Sequence, residues 1–206
     1  MNNNVSIVKK SAVIIAVILL VATFFCCLSS CQDKGPKVVL SFDNSDFSYV
    51  VYDTGDAYVA SCNGAETGTS VMKVTIPDTV TYEDKDYTIV GVSSLAFDHA
   101  MVSEIELSEG IKVIEPYAFA YCSATIVTLP STITTIGEYA FVNNMSLRRL
   151  NVKSAVPPTI GNNAFKYYDS TSAGYKVSGI LKITVAKDSF DSYVNEWRDY
   201  AEVITK

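Results

Sequence analysis

The side chains best suited to chemistry are few and scattered. His99 is the only histidine among 206 residues, and Cys62 and Cys122 are the only cysteines beyond Cys31. Cys122 and His99 lie one repeat apart, so stacking would bring a thiol and a base onto neighbouring coils. No orienting acid or oxyanion motif accompanies them, which speaks against a nucleophile–base pair. His99 has no Cys or His close to it in sequence, so neither zinc nor another metal is expected. In an oxidising compartment Cys62 and Cys122 can form a disulfide; the alternative is a pair of small buried thiols. Glu83, Asp84 and Asp86 invite a calcium site, but they lack the glycine-bearing spacing of a calcium loop, so a solvated hairpin tip over Tyr82–Tyr87 is expected. There is no G-x-S-x-G and no phosphate-binding glycine loop. Two acids suffice for a glycosidase, so a surface hydrolase stands as a remote alternative to a non-catalytic protein without cofactor.

Any such residue must be positioned by a repeated phrase, clearest as Thr135-Ile136-Gly137-Glu138-Tyr139-Ala140-Phe141. Its Ala-Phe pairs end at Phe97, Phe119, Phe141 and Phe165, with steps of 22, 22 and 24 residues. Val92, Ile114, Ile136 and Ile160 each stand five positions before their Phe. A fixed period of this length marks a solenoid. Upstream of each phrase lies an alternating segment: Val74-Thr75-Ile76, Ile105-Glu106-Leu107, Val127-Thr128-Leu129, Leu150-Asn151-Val152 and, after an insertion, Ile183-Thr184-Val185. Period-two alternation predicts short strands with an apolar inner face. Stacking joins those faces into one core, with stability roughly a sum over neighbouring coils.

The outward residues then form ladders. One runs Thr75, Glu106, Thr128, Asn151, Thr184, and its neighbour runs Lys73, Glu104, Ile126, Arg149, Lys182. A regular face of this kind suits an extended ligand. The predicted binding face is Thr75, Glu104, Glu106, Thr128, Arg149, Asn151, Lys182 and Thr184; simple solvation of the sheet is the competing role of each residue. In the same register His99 aligns with Tyr121, Asn143 and Tyr167 as a rung of turn residues.

The net charge is −6, and beyond residue 30 there are 14 basic against 22 acidic residues, a net −8. Such a domain is unsuited to nucleic acid, which is bound by neutralising phosphates, and to electrostatic adhesion on anionic lipid. Membrane attachment must come from the leader. Lys9-Lys10 precede the apolar run Ser11–Phe25, the pattern of a secretory signal. Leu28-Ser29-Ser30-Cys31 resembles a bacterial lipobox. That resemblance implies removal of residues 1–30, a lipid on Cys31 and a short tether over 31–37. An uncleaved signal anchor is the alternative, and both leave the globular part outside the cytoplasm.

Residues 38–70 read as an N-terminal β cap, with a hairpin turning at Asp53-Thr54-Gly55-Asp56. Residues 71–165 hold the repeats, and 166–206 an insertion loop and C-terminal cap. Within the cap, Lys166–Gly179 predicts a projecting loop or hairpin. Asp188 or Ser189 is placed to cap a helix whose Phe190, Tyr193, Val194 and Trp197 share one face packed on the last coil. Tyr200–Ile204 is expected as a final strand.

Leu129–Phe141 and its copies resemble the BspA-like class of bacterial leucine-rich repeats, over roughly residues 70–206, and 38–70 resembles the cap of that class. The resemblance implies a mostly β fold: a short right-handed leucine-rich-repeat solenoid of about four coils of 22–24 residues, capped by a β-hairpin and by a strand and helix. It implies a cell-envelope protein, held to the membrane through its lipid anchor, acting as a binding or adhesion scaffold for protein or glycan. A structural or assembly component of the envelope is the alternative.

Overall fold

The computed structural model describes residues 35–63 and 73–206; the predicted signal segment, Cys31 and the start of the tether lie outside the described residues. β-Branched and aromatic residues, which suit a pleated and half-buried surface, dominate Val38–Asp43 (β1), Phe47–Tyr52 (β2) and Ala57–Cys62 (β3). These strands form an antiparallel meander. Gly55 turns β2 into β3 at a φ of 89°, a conformation glycine adopts without steric cost. Farther along come Val74–Ile76 (β4), Thr79–Tyr82 (β5) and Lys85–Val92 (β6). β3 lies parallel to β6, which carries the meander onto the first coil. Phe47, Tyr49 and Val51 are buried there, with Phe47 6.1 Å from Phe97.

β5 and β6 pair antiparallel around Glu83 and Asp84, both at positive φ. The polar turn expected over Tyr82–Tyr87 is therefore only two residues long. Lys85, Asp86 and Tyr87 belong to the strand, where Thr81 donates to the Asp86 carboxylate at 2.6 Å across the ladder.

The repeats build two parallel walls. One wall stacks β4, Glu104–Leu107 (β7), Ile126–Leu129 (β9), Arg149–Val152 (β11), Lys182–Thr184 (β15) and Ile204–Thr205 (β16). The other continues from β6 through Val113–Ile114 (β8), Thr135–Ile136 (β10) and Thr159–Ile160 (β12). Ile105, Leu107, Val127, Leu129, Leu150 and Ile183 point inward and are buried. So are Ile111 with Ile114, and Ile133 with Ile136.

At the turn that closes each coil the phenylalanines stack on one another. Centroids are 4.8 Å apart for Phe97–Phe119, 4.9 Å for Phe119–Phe141 and 5.2 Å for Phe141–Phe165. These spacings match the roughly 4.7–4.9 Å between paired strands. Backbone bonds tie the same turns together: the Phe97 N–H donates to Ala118 at 2.7 Å, Phe119 to Ala140 at 2.8 Å and Phe141 to Ala164 at 2.7 Å.

After the fourth coil, Lys166–Asp169 (β13) and Gly174–Val177 (β14) make an antiparallel hairpin, within the predicted insertion. The chain ends in a 3-10 turn at Lys187–Ser189, a helix Phe190–Glu196 (α1) and a second 3-10 segment, Arg198–Val203. Ser189 stands at the helix N-cap without a side-chain cap bond; the incoming 3-10 turn, not a hydroxyl, leads the chain into the helix. The expected final strand over Tyr200–Ile204 shrinks to Ile204–Thr205. Tyr200 is drawn into the core instead, where its hydroxyl accepts the Phe165 N–H at 3.2 Å. Trp197 is buried 5.8 Å from Phe165, and its indole N–H donates to Pro158 at 3.0 Å. Tyr193 donates to Ser154 at 2.9 Å. The cap thus continues the aromatic stack while satisfying each polar tip.

Phe141 is packed on both faces, so Phe141→Ala removes two stacking partners at once. Urea unfolding should show a loss of about 3–5 kcal/mol. A loss below about 1 kcal/mol, the size of a surface change, would contradict the stack as the central support.

Candidate binding surface

Parallel pairing of the first wall fixes the outward ladders residue by residue. Thr75 lies opposite Glu106, Glu106 opposite Thr128, Thr128 opposite Asn151, and Asn151 opposite Thr184. Thr205 extends this ladder by one rung beyond the predicted set; alternation in Ile204-Thr205 was the available signal. The neighbouring ladder pairs Glu104 with Ile126, Ile126 with Arg149, and Arg149 with Lys182. All eight predicted face residues therefore lie on one wall, side chains outward. Asn151 donates to the Thr128 hydroxyl at 3.2 Å, and the Thr184 and Thr205 hydroxyls are 3.5 Å apart.

Charge divides the wall in two. Lys73 reaches Glu106 at 2.8 Å and Glu104 at 3.5 Å, and Lys153 approaches Glu106 at 3.8 Å. The hydrogen bond from Lys73 holds the Glu106 carboxyl below the usual range, and the same bond raises Lys73. Farther along, Arg148, Arg149 and Lys182 are exposed. Among the described residues none of the three has a carboxylate within ion-pair distance. They line an open cavity of about 600 Å³, together with Thr125, Ile126, Gly179 and Ile180. The segment leaving β14 thus supplies one side of a groove whose other side is the strand wall.

The turns present a second surface. Each places large residues in the left-handed region: Leu95, Tyr117, Tyr139 and Asn163 in one row, His99, Tyr121 and Asn143 in another. Tyr117 stacks on Tyr139 at 5.0 Å and His99 on Tyr121 at 4.6 Å. Tyr175 of the hairpin joins 5.3 Å from Tyr139. Sequence register had aligned His99 with Tyr121, but the row through Tyr117 and Tyr139 was not singled out; its signal was the Tyr two places before Phe.

The thiol and imidazole do not meet. His99 is 69% exposed and contacts Asp98 at 3.0 Å. Cys122 is buried, donates to the Ala100 carbonyl at 3.3 Å, and burial pushes its thiol up to about 11. A thiol so protonated is a poor nucleophile. Cys62 and Cys122 are both buried and are not joined by a disulfide. Among the described residues no three His, Cys, Asp or Glu side chains gather to hold a metal.

With this geometry in place, likeness to known proteins has a definite meaning. Residues 90–185 match the BspA type leucine rich repeat region, in six copies. A leucine-rich repeat protein from Bacteroides capillosus gives a TM-score of 0.53 at 19% identity, covering 71% of this chain and 98% of its own. The leucine rich repeat protein of T. pallidum gives 0.50 at 18% identity, covering 73% of this chain and 62% of its own. At such identities the likeness is one of fold, and the fold is a leucine-rich-repeat solenoid. No curated protein matches the chain.

The hairpin beside this surface is held by Asp169, which accepts from Lys176, from the Thr171 N–H and hydroxyl, and from Ser172. Lys176 above all keeps its carboxyl well below the ordinary range. A lowered folded value stabilises above the unfolded pKa of about 3.9 and is lost only as pH falls through the folded value. Protection of the β13 and β14 amides, taken relative to intrinsic exchange at the same pH, should therefore persist at about pH 4 in the native chain and be lost at that pH and at neutral pH in Asp169→Asn. Equal protection of the two chains at one pH would refute the carboxylate as the clasp.

Proposed function

We infer that the chain is an exported, lipid-anchored protein of the bacterial cell envelope that serves as a non-catalytic binding scaffold for a protein or glycan. One observation carries this reading: the uninterrupted row Thr75, Glu106, Thr128, Asn151, Thr184 and Thr205, held in register on the outer face of a parallel wall. Successive coils repeat one hydrogen-bonding pattern at the strand spacing, which suits a ligand that is itself extended and repetitive. The rigid core beneath means that little side-chain and backbone freedom remains to be lost on binding. The Gly179–Ile180 segment closes one side of that face.

Two measurements test this. Thr128→Ala, Asn151→Ala and Thr184→Ala combined should weaken capture of extracellular glycoproteins or glycans at least tenfold, with the unfolding midpoint little changed; intact binding would refute the wall as the contact surface. Membrane-extracted protein should have the mass of a chain beginning at lipidated Cys31. A species retaining Met1–Ser30 would show a signal anchor instead.

A further inference from the structure

The groove at Arg148, Arg149 and Lys182 differs in charge from the earlier half of the same wall. The chain beyond residue 30 is strongly acidic, and the half-buried acids of the same wall, Glu104 and Glu106, are engaged by Lys73 and Lys153. Among the described residues no Asp or Glu lines the groove. Arg149 and Lys182 are directly opposed across β11 and β15, and Arg148 precedes Arg149 at the strand entry. Three cations are therefore gathered around one cavity, with no described carboxylate to neutralise them. Like charges so close repel one another, and nothing in the packing compels them: each is exposed. Ile126 and Ile180 give the groove apolar sides, which lower the local dielectric and strengthen any pairing with an anion. Guanidinium groups offer planar, two-pronged donation to carboxylate or sulfate.

We propose that this groove binds the acidic groups of a linear anionic polysaccharide lying along the solenoid axis, across the ladder of Thr128, Asn151 and Thr184. This rests on the strand wall being a ligand surface, and adds the ligand's class. Rungs recur at roughly 4.8 Å along that axis, close to the length of one sugar unit in an extended β-linked chain. Same-face side chains of an extended peptide recur at about 6.7 Å, so a peptide falls out of phase within two rungs. The hydroxyl and amide groups of the ladder both donate and accept, which matches sugar hydroxyls. The cations then take the carboxylates or sulfates.

The test is calorimetric titration of the full chain in detergent with polymannuronate, cellulose sulfate, a neutral β-linked glucan and polyglutamate. Polymannuronate and cellulose sulfate, both β-linked, separate carboxylate from sulfate as the preferred group; binding of either fits the proposal. Arg148→Gln, Arg149→Gln and Lys182→Gln combined should weaken that binding roughly ten- to a hundredfold, and added salt should weaken it further. Lys112→Gln, on the other side of the coil, should leave it unchanged, and circular dichroism should show all variants folded. Tighter or equal binding of polyglutamate would overturn the proposal in favour of an acidic peptide. Failure of both anionic glycans to bind would overturn it outright. Neutral glucan binding that survives the triple Gln variant but is lost in the Thr128, Asn151 and Thr184 alanine variant would overturn the cationic site while leaving the strand wall as the ligand surface.

Discussion

Close approach between successive coils is the constraint on which the remaining geometry depends. A Cβ on Gly137 would come within 2.5 Å of the Pro116 nitrogen, and one on Gly161 within 2.3 Å of the Glu138 nitrogen. The glycine of the repeated phrase is there because backbone touches backbone. The alanine beside each Phe is buried for the same reason: a larger group would push the turns apart and break the bonds from Phe N–H to the next coil. With the turns fixed at that distance the Phe rings must stack, and they do so at nearly the strand spacing. The pitch is thus set three times over, by strand pairing, turn bonding and ring packing. The outer ladders inherit their regularity from it.

A regular scaffold makes departures from regularity informative. The wall's ion pairs are all exposed, and exposed pairs contribute little stability. Their consequence is instead to cancel charge. Glu106 takes Lys73 from one side and Lys153 from the other, so the early coils present a neutralised surface. The later coils keep their cations bare. Three uncompensated positive charges on an acidic chain do not help it fold, and their position beside a groove is the ground for the anion site proposed there.

Much of the scaffold was legible in the sequence because its signals are one-dimensional. Period-two segments gave the strand wall, the Ala-Phe period gave the turns, and the stacking order of Thr75 through Thr184 followed from aligning them. The helical spacing of Phe190, Tyr193, Val194 and Trp197 likewise marked the face that packs. What escaped depends on contacts between distant residues. Tyr200 looks like a strand residue, but its hydroxyl meets the Phe165 N–H, and that tertiary bond pulls the segment into a 3-10 turn. Lys153 reaches diagonally to Glu106, two coils back, whereas register alone pairs only residues of one column. Arg148 belongs to no alternating segment, so its place at the groove becomes visible only once the chain after β14 is positioned.

The aromatic flank shows why an exposed cluster is not in itself a binding site. Tyrosine, histidine and leucine in the left-handed region each carry a steric cost of roughly 1–2 kcal/mol. Stacking of neighbouring rings returns about 0.5–1.5 kcal/mol per pair, so Tyr117 on Tyr139 and His99 on Tyr121 recover part of the strain of their own turns. Where the regular coils end, the chain switches to Asn143 and Asn163, residues that tolerate this conformation through short polar side chains. The hairpin then supplies the missing partners: Tyr175 covers Tyr139, and the Tyr168 N–H donates to Asn143 at 2.7 Å. The histidine and tyrosines of that flank each have a ring partner within the chain. Arg148, Arg149 and Lys182 have no carboxylate partner among the described residues, and that difference in internal satisfaction, more than exposure or size, is the ground for proposing the wall rather than the flank as the ligand surface.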